Sequence, residues 1–153
     1  MQNLHVTLAY LGAVPESRIA EILSVAQRVA DEFLVDSEPL LIKLDRVEHW
    51  RQPQILCATA GGPPLQATIS FDGLSERLKR EAVSAKFTPD LQPARAHVTV
   101  ARKIRHTDDI PDIEPVLWTF TEFTLLDSRN SFSGPQYSVM EKWRFASVRR
   151  EIS

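Results

Sequence analysis

The sequence has 153 residues, of which 43% are hydrophobic and 25% are charged, as in ordinary soluble globular proteins of one domain or two small lobes. Its 18 basic and 20 acidic residues give a formal charge of −2, which speaks against a protein that holds long nucleic acids by their phosphates. No apolar run could span a bilayer, no signal peptide is evident, and the single cysteine excludes an internal disulfide, so we expect a cytoplasmic protein without a membrane partner.

Hydrophobic periodicity predicts two helices among six strands. Apolar side chains recur every three or four residues in two segments, which is typical of amphipathic helices. In chain order the predicted elements are a strand over residues 4–11, a helix from Pro15 to Phe33, strands over 39–44 and 55–60, a helix from about Pro64 to Ala85, and strands over 97–101, 116–126 and 137–145. Few connections look like parallel crossovers, so we predict an α+β fold of antiparallel sheets backed by helices.

One five-residue pattern occurs twice, 92 positions apart: HVTLA at residues 5–9 and HVTVA at residues 97–101. Each copy predicts a strand. Because side chains alternate between the two faces of a strand, the histidine and the threonine of each copy would project together. The apolar side chains between them would then face a core: Leu4, Val6, Leu8, Val98 and Val100.

Two such strands side by side would place His5, Thr7, His97 and Thr99 in one cleft. Histidine exchanges a proton near neutral pH, so one ring can take a proton from water while the other gives a proton to a leaving alkoxide. Threonine hydroxyls can donate hydrogen bonds to phosphate oxygens, where negative charge accumulates in the transition state. A lone His-x-Thr indicates almost nothing, but the matched pair predicts metal-independent acid–base chemistry on a phosphate.

Two further residues have alternative interpretations. Arg102 follows the second motif at an odd offset from His97, so a flat strand would point it away from the cleft and leave it as a solvated surface arginine. A bend after Ala101 would bring it back as a phosphate ligand. Trp50 could stack on a nucleotide base, or it could pack on the sheet as an aromatic at a strand end.

No residue pattern predicts a metal or a cofactor. His49 and His106 have neither the spacing nor the neighbouring carboxylates of a metal site, so we expect ordinary surface histidines. Cys57 lies in an apolar strand, which predicts a buried, inert thiol rather than a nucleophile.

The paired motifs resemble the 2H phosphoesterase superfamily, and within it the chain looks like the bacterial RNA 2′,3′-cyclic phosphodiesterases, also called 2′-5′ RNA ligases. The resemblance runs over nearly the whole chain, and its residues are 3–12 (NLHVTLAYLG) and 97–103 (HVTVARK), with weaker similarity at 123–128, Gly134, Tyr137 and Trp143. Members of the family carry a further strand and helix ahead of the first motif, so we expect those two elements to be missing. Ala96 stands where proline is common.

The resemblance implies a single domain over residues 1–153, with two pseudo-symmetric lobes whose antiparallel sheets flank a cleft and whose helices lie outside. It implies hydrolysis of a terminal 2′,3′-cyclic phosphate of RNA to a 2′-phosphate, with 2′-5′ ligation as the reverse reaction and without a cofactor. His97 would be the proton acceptor and His5 the proton donor, although pseudo-symmetry would also allow the exchanged roles. Thr7 and Thr99 would hold the phosphate oxygens.

Two alternatives remain open from the sequence. The same chemistry could act on a small cyclic nucleotide or a 2′-5′-linked oligonucleotide, for which no large basic surface is needed. The chain could also be a non-catalytic nucleotide-binding module, if the early start of the first motif leaves His5 poorly placed. The sequence predicts no oligomeric state.

Overall fold

The structure is a computed structural model that describes residues 4–33, 38–62, 65, 69–132 and 134–145. This part of the chain contains two α-helices and seven strands, so the α+β class is confirmed. After a short 3₁₀ turn at Glu16–Arg18, the elements are α1 (Ile19–Phe33), β1 (Leu40–Leu44), β2 (Arg46–Trp50), β3 (Ile55–Thr59), α2 (Phe71–Ser84), β4 (His97–Arg102), β5 (Val116–Phe120), β6 (Glu122–Ser131) and β7 (Gly134–Arg144).

Both helices pack through one apolar face, as their periodicity predicts. Helix α2 begins seven positions later than predicted because Ser70 caps it: the Ser70 hydroxyl accepts a hydrogen bond from the Gly73 amide at 3.0 Å. Residues 63–64 and 66–68, on which much of the predicted first part of this helix falls, lie outside the described residues. The buried face of α1 is Ile22, Val25, Ala26, Val29 and Ala30.

All strand pairs within the described residues are antiparallel, in the groups β1–β5, β2–β3–β4 and β6–β7. The prediction of one strand over residues 116–126 is wrong. The segment forms two strands, β5 paired with β1 and β6 paired with β7, and the change of partner occurs at Thr121. The Thr121 carbonyl accepts a hydrogen bond from the Phe145 amide at 2.8 Å and so joins the end of β7 to this break. Strand β2 was not predicted, because the charged Arg46 and Glu48 hide its alternating pattern.

The strand predicted over residues 4–11 does not form: the segment bends at Leu8 and pairs with no strand in the described part of the chain. A strand is stabilised by backbone hydrogen bonds to a neighbouring strand. In this segment two carbonyls instead accept single hydrogen bonds from groups outside any sheet. The Ser75 hydroxyl donates to the Leu8 carbonyl at 2.5 Å, and the Asp90 amide donates to the Tyr10 carbonyl at 2.9 Å. Leu4, predicted to face the core, is 46% exposed, and no strand of the described residues pairs with its segment.

The main hydrophobic core lies between the two helices and the sheets. It is built from Val29 of α1, Leu74 of α2, and buried side chains of β1, β3, β4 and the β6–β7 hairpin. Val6 and Leu8 of the first motif pack against this cluster, and Val98 of the second motif is part of it. Both motifs are therefore anchored on one core by the apolar side chains that alternate with their histidines and threonines.

Candidate active site

One face of the β2–β3–β4 sheet carries the second motif. Residues directly opposite each other on paired strands share a face, so the register defines this surface, which we call the motif face. The opposite face holds Ala58 and Val98 and packs into the core. Row by row across β2, β3 and β4, the motif face consists of Arg46, Thr59 and His97, then Glu48, Cys57 and Thr99, then Trp50, Ile55 and Arg102.

A β-bulge at Val100 places Arg102 on the motif face. Thr99 lies opposite Cys57 and Ala101 lies opposite Leu56, so Val100 has no opposite residue on β3. The extra residue shifts the side-chain alternation by one position, so Arg102 returns to the side of His97 through this bulge rather than through a bend after Ala101. For the same reason the prediction that Val100 faces the core is wrong, and its side chain is 53% exposed.

The His97 ring is held by two contacts. Its Nδ1 lies 2.7 Å from the carbonyl oxygen of Arg95, and its ring centroid lies 4.6 Å from that of Trp50, with the planes inclined by 50°. A carbonyl oxygen only accepts hydrogen bonds, so Nδ1 carries the proton and donates. In neutral His97 the other nitrogen, Nε2, is therefore left with the lone pair that a proton acceptor needs.

The Glu48 carboxylate joins three side chains around His97. It accepts hydrogen bonds from Trp50 Nε1 at 3.0 Å, from the Thr59 hydroxyl at 3.1 Å, and from the Arg95 guanidinium. Burial opposes the ionisation of Glu48, but these three hydrogen bonds outweigh it and hold the pKa of the carboxyl below its usual value. Sequence reasoning missed Glu48 and Arg95; their only signal was the position of Glu48 two residues before Trp50 and of Arg95 two residues before His97.

Cys57 lies directly opposite Thr99 across β3 and β4, at the centre of the motif face. The thiol is fully buried, and its sulfur is 4.0 Å from the Thr99 hydroxyl oxygen. Burial raises the pKa of the Cys57 thiol above its usual value, against the weaker opposing effect of the Thr99 hydrogen bond. The thiol is therefore protonated at neutral pH, as expected for an inert cysteine.

The first motif lines a separate open cleft with a volume of about 960 Å³. His5 and Thr7 belong to its lining, together with residues of α1, α2 and the β6–β7 hairpin. The His5 ring meets Tyr137 of β7 edge to face, with ring centroids 4.8 Å apart. The lining includes neither His97 nor Thr99, so a meeting of the two motifs on one phosphate stays a prediction.

The described residues contain neither a metal-ligand cluster nor a membrane-spanning helix. No three of their His, Cys, Asp or Glu side chains are grouped as the ligands of a metal ion would be. His49 is half-buried, and its Nε2 lies 2.8 Å from the Ile104 carbonyl on the far side of the sheet. Neither α1 nor α2 has the length and the apolar character that crossing a membrane requires.

Comparison with known proteins finds similar structures and a similar sequence, while no protein-family model matches the chain. The structure of Escherichia coli LigT complexed with 3′-AMP has a TM-score of 0.73 and 23% identity, over 94% of this chain and 77% of that one. The protein TT0787 of Thermus thermophilus has a TM-score of 0.65 and 25% identity, over 93% of this chain and 78% of that one.

The similar sequence is the RNA 2′,3′-cyclic phosphodiesterase of Bacillus subtilis (strain 168). It is 29% identical over 112 residues, which are 71% of this chain and 56% of that protein. This chain therefore spans little more than half the length of the curated relative that it matches. Together the comparisons confirm the predicted fold and the resemblance on which that prediction was based.

Proposed function

We propose that this chain, which resembles the 2H phosphoesterases in its fold and its paired motifs, hydrolyses the terminal 2′,3′-cyclic phosphate of RNA to a 2′-phosphate without a metal. The observation that carries the proposal is the hydrogen bond from His97 Nδ1 to the Arg95 carbonyl, since it leaves Nε2 as a proton acceptor. The name of the Bacillus relative and the 3′-AMP complex of LigT support a nucleotide or an RNA end as the substrate.

In this scheme His97 activates the attacking water. Nε2 takes a proton from the water while the water oxygen bonds to phosphorus. The bond between phosphorus and the 3′ oxygen of the ribose breaks. His5 gives its proton to that oxygen, which leaves as a hydroxyl. Positioned acid–base groups of this kind contribute about 10² to 10⁴ in rate. Attack by a 5′-hydroxyl in place of water would open the cyclic phosphate in the same way and make a 2′-5′ linkage.

The phosphate would be held by groups on both motifs. Thr7 and Thr99 would donate to its non-bridging oxygens, where negative charge grows in the transition state. Arg102 shares the face of His97 and Thr99, and a guanidinium can donate two parallel hydrogen bonds to a phosphate. Val6, Leu8 and Val98 support this arrangement, because they anchor both motif segments on the same core.

A small cyclic nucleotide is the second candidate substrate. It is favoured by the formal charge of −2, because a long RNA backbone is held by a strong excess of basic residues. The chemistry at phosphorus would be unchanged, so the two candidates differ only in what lies beyond the terminal nucleotide.

The test uses a short 5′-labelled RNA ending in a 2′,3′-cyclic phosphate, 2′,3′-cyclic AMP and a 2′-5′-linked dinucleotide, each with and without EDTA. We expect conversion of the RNA end to a 2′-phosphate at the same rate with EDTA. Turnover of 2′,3′-cyclic AMP or of the 2′-5′-linked dinucleotide, without turnover of the RNA, would favour a small nucleotide as the substrate. Loss of activity in EDTA, or binding without turnover, would overturn it.

A further inference from the structure

Two groups that touch the His97 ring belong to residues bound to the same carboxylate. Trp50 places its ring against the imidazole, with the centroids 4.6 Å apart, and donates its indole N–H to Glu48. Arg95 accepts from His97 Nδ1 through its carbonyl and donates to Glu48 through its guanidinium. Glu48 itself does not contact the imidazole through any of these hydrogen bonds, so its effect on His97 passes through Trp50 and Arg95.

We infer that Glu48 is the positioning residue for His97, holding the Trp50 ring and the Arg95 backbone so that Nε2 remains the proton acceptor. The inference rests on the proposed function, in which His97 is the base. The ion pair between Glu48 and Arg95 is not itself a large source of stability, because the Arg95 side chain is 53% exposed. Its consequence is geometric: it restrains the residue whose carbonyl selects the His97 tautomer.

A carboxylate is the group that this arrangement requires. Three donors converge on two oxygens, with Trp50 on Oε2 and both Thr59 and Arg95 on Oε1. Glutamine has one acceptor oxygen, so in Glu48→Gln an amide N–H would face either Trp50 or Arg95. Thr59 is fully buried at the base of the cluster and keeps the carboxylate from rotating out to solvent.

Two variants distinguish the contribution of Trp50 from the combined contribution of Trp50 and Arg95. Trp50→Phe keeps an aromatic ring but loses the N–H that binds Glu48, whereas Glu48→Ala releases both neighbours. Because an error of about 1 Å in a catalytic group can lower the rate 10²-fold, we expect kcat to fall about 10- to 100-fold in Glu48→Ala and less in Glu48→Gln and Trp50→Phe, with KM unchanged. The effects of Glu48→Ala and Trp50→Phe on kcat should be less than additive, since both variants remove the hydrogen bond between Trp50 and Glu48.

The experiment combines kinetics on the cyclic-phosphate RNA with ¹⁵N NMR of the His97 ring in the substrate-free protein. We expect Nδ1–H in the wild type and a growing share of Nε2–H in Glu48→Gln and Glu48→Ala. The matched control is Glu21→Gln, which removes a carboxylate paired with Arg18 on α1. It should change neither the His97 tautomer nor kcat.

The outcomes distinguish this inference from the proposed function. A tautomer change together with a fall in kcat supports Glu48 as the positioning residue. An unchanged tautomer overturns it, whatever kcat does, and so does a changed tautomer in an enzyme whose kcat is unaffected. If the wild type is inactive on every cyclic phosphate while the tautomer still changes, the proposed function fails and Glu48 still positions the ring. Should Glu48→Ala not fold, the milder Glu48→Gln gives the same measurements.

Discussion

Arg102 and His97 lie on the same face of β4, although they are five positions apart, because Val100 is bulged out of the ladder between them. In a regular strand an odd separation places two side chains on opposite faces. The bulge therefore decides whether this arginine is part of a phosphate site or an ordinary surface charge.

Replacing Arg102 tests that role. We expect Arg102→Ala to raise KM about 10- to 100-fold, because a hydrogen bond from a charged group contributes about 1.5–3 kcal/mol. Arg102→Lys should recover only part of this, since an ammonium cannot make two parallel hydrogen bonds to phosphate. Lys103→Ala, at the next position, is the matched control, and equal KM values for the two alanine variants would exclude Arg102 from the site.

The two histidines are expected to be essential. We predict that His5→Ala and His97→Ala each lower kcat/KM about 10²- to 10⁴-fold on the cyclic-phosphate RNA, while thermal unfolding stays cooperative. His106→Ala, in the exposed segment after β4, should keep the wild-type rate. A wild-type rate in His5→Ala or in His97→Ala would show that the replaced histidine takes no part in the reaction.

Thr99 allows a substitution that changes one hydroxyl and little else. Thr99→Val should lower kcat/KM about 10-fold or more, because valine has nearly the same shape but cannot donate to a phosphate oxygen. Thr99→Ser keeps the hydroxyl and should restore most of the activity. Equal steady-state kinetics for valine and serine would show that the hydroxyl is not used.

Ser75 is expected to act on the first motif from a distance. Its buried hydroxyl donates to the Leu8 carbonyl, between a helix and a segment that has no partner strand in the described part of the chain. Ser75→Ala should destabilise the protein by about 1–3 kcal/mol and lower kcat, because His5 lies three residues before Leu8. Urea unfolding and kinetics measure both effects. Ser24→Ala, which removes a bond within α1, is the control expected to spare kcat.

The ionisation of Glu48 should make the free energy of unfolding depend on pH in the acidic range. The pKa of its carboxyl is lower in the folded chain than its usual value, so the unfolded chain binds more protons as the pH falls. The stabilisation is complete above the unfolded pKa of about 4.3 and is lost as the pH falls through the folded value. In urea unfolding, Glu48→Gln should therefore be less stable than the wild type near neutral pH, by about 1–3 kcal/mol, and should approach it in acid. A constant difference across that range would contradict the assignment.

Short-range patterns determined much of this protein. The spacing of the apolar side chains predicted both helices, because burial of one face follows a period that can be counted along the chain. The repeated His-x-Thr motif named the candidate reacting groups for the same reason, since two residues two positions apart on an extended segment share a face.

Tertiary structure alone decided the rest. Whether residues 4–11 form a strand depends on a neighbour for their backbone groups, and no local pattern records that neighbour. The bulge at Val100, the break at Thr121 and the meeting of Arg95 with Glu48 all arise from pairing between distant segments. The candidate reacting groups thus lie in local motifs, while the orientation of the His97 ring comes from residues that only the folded sheet brings together.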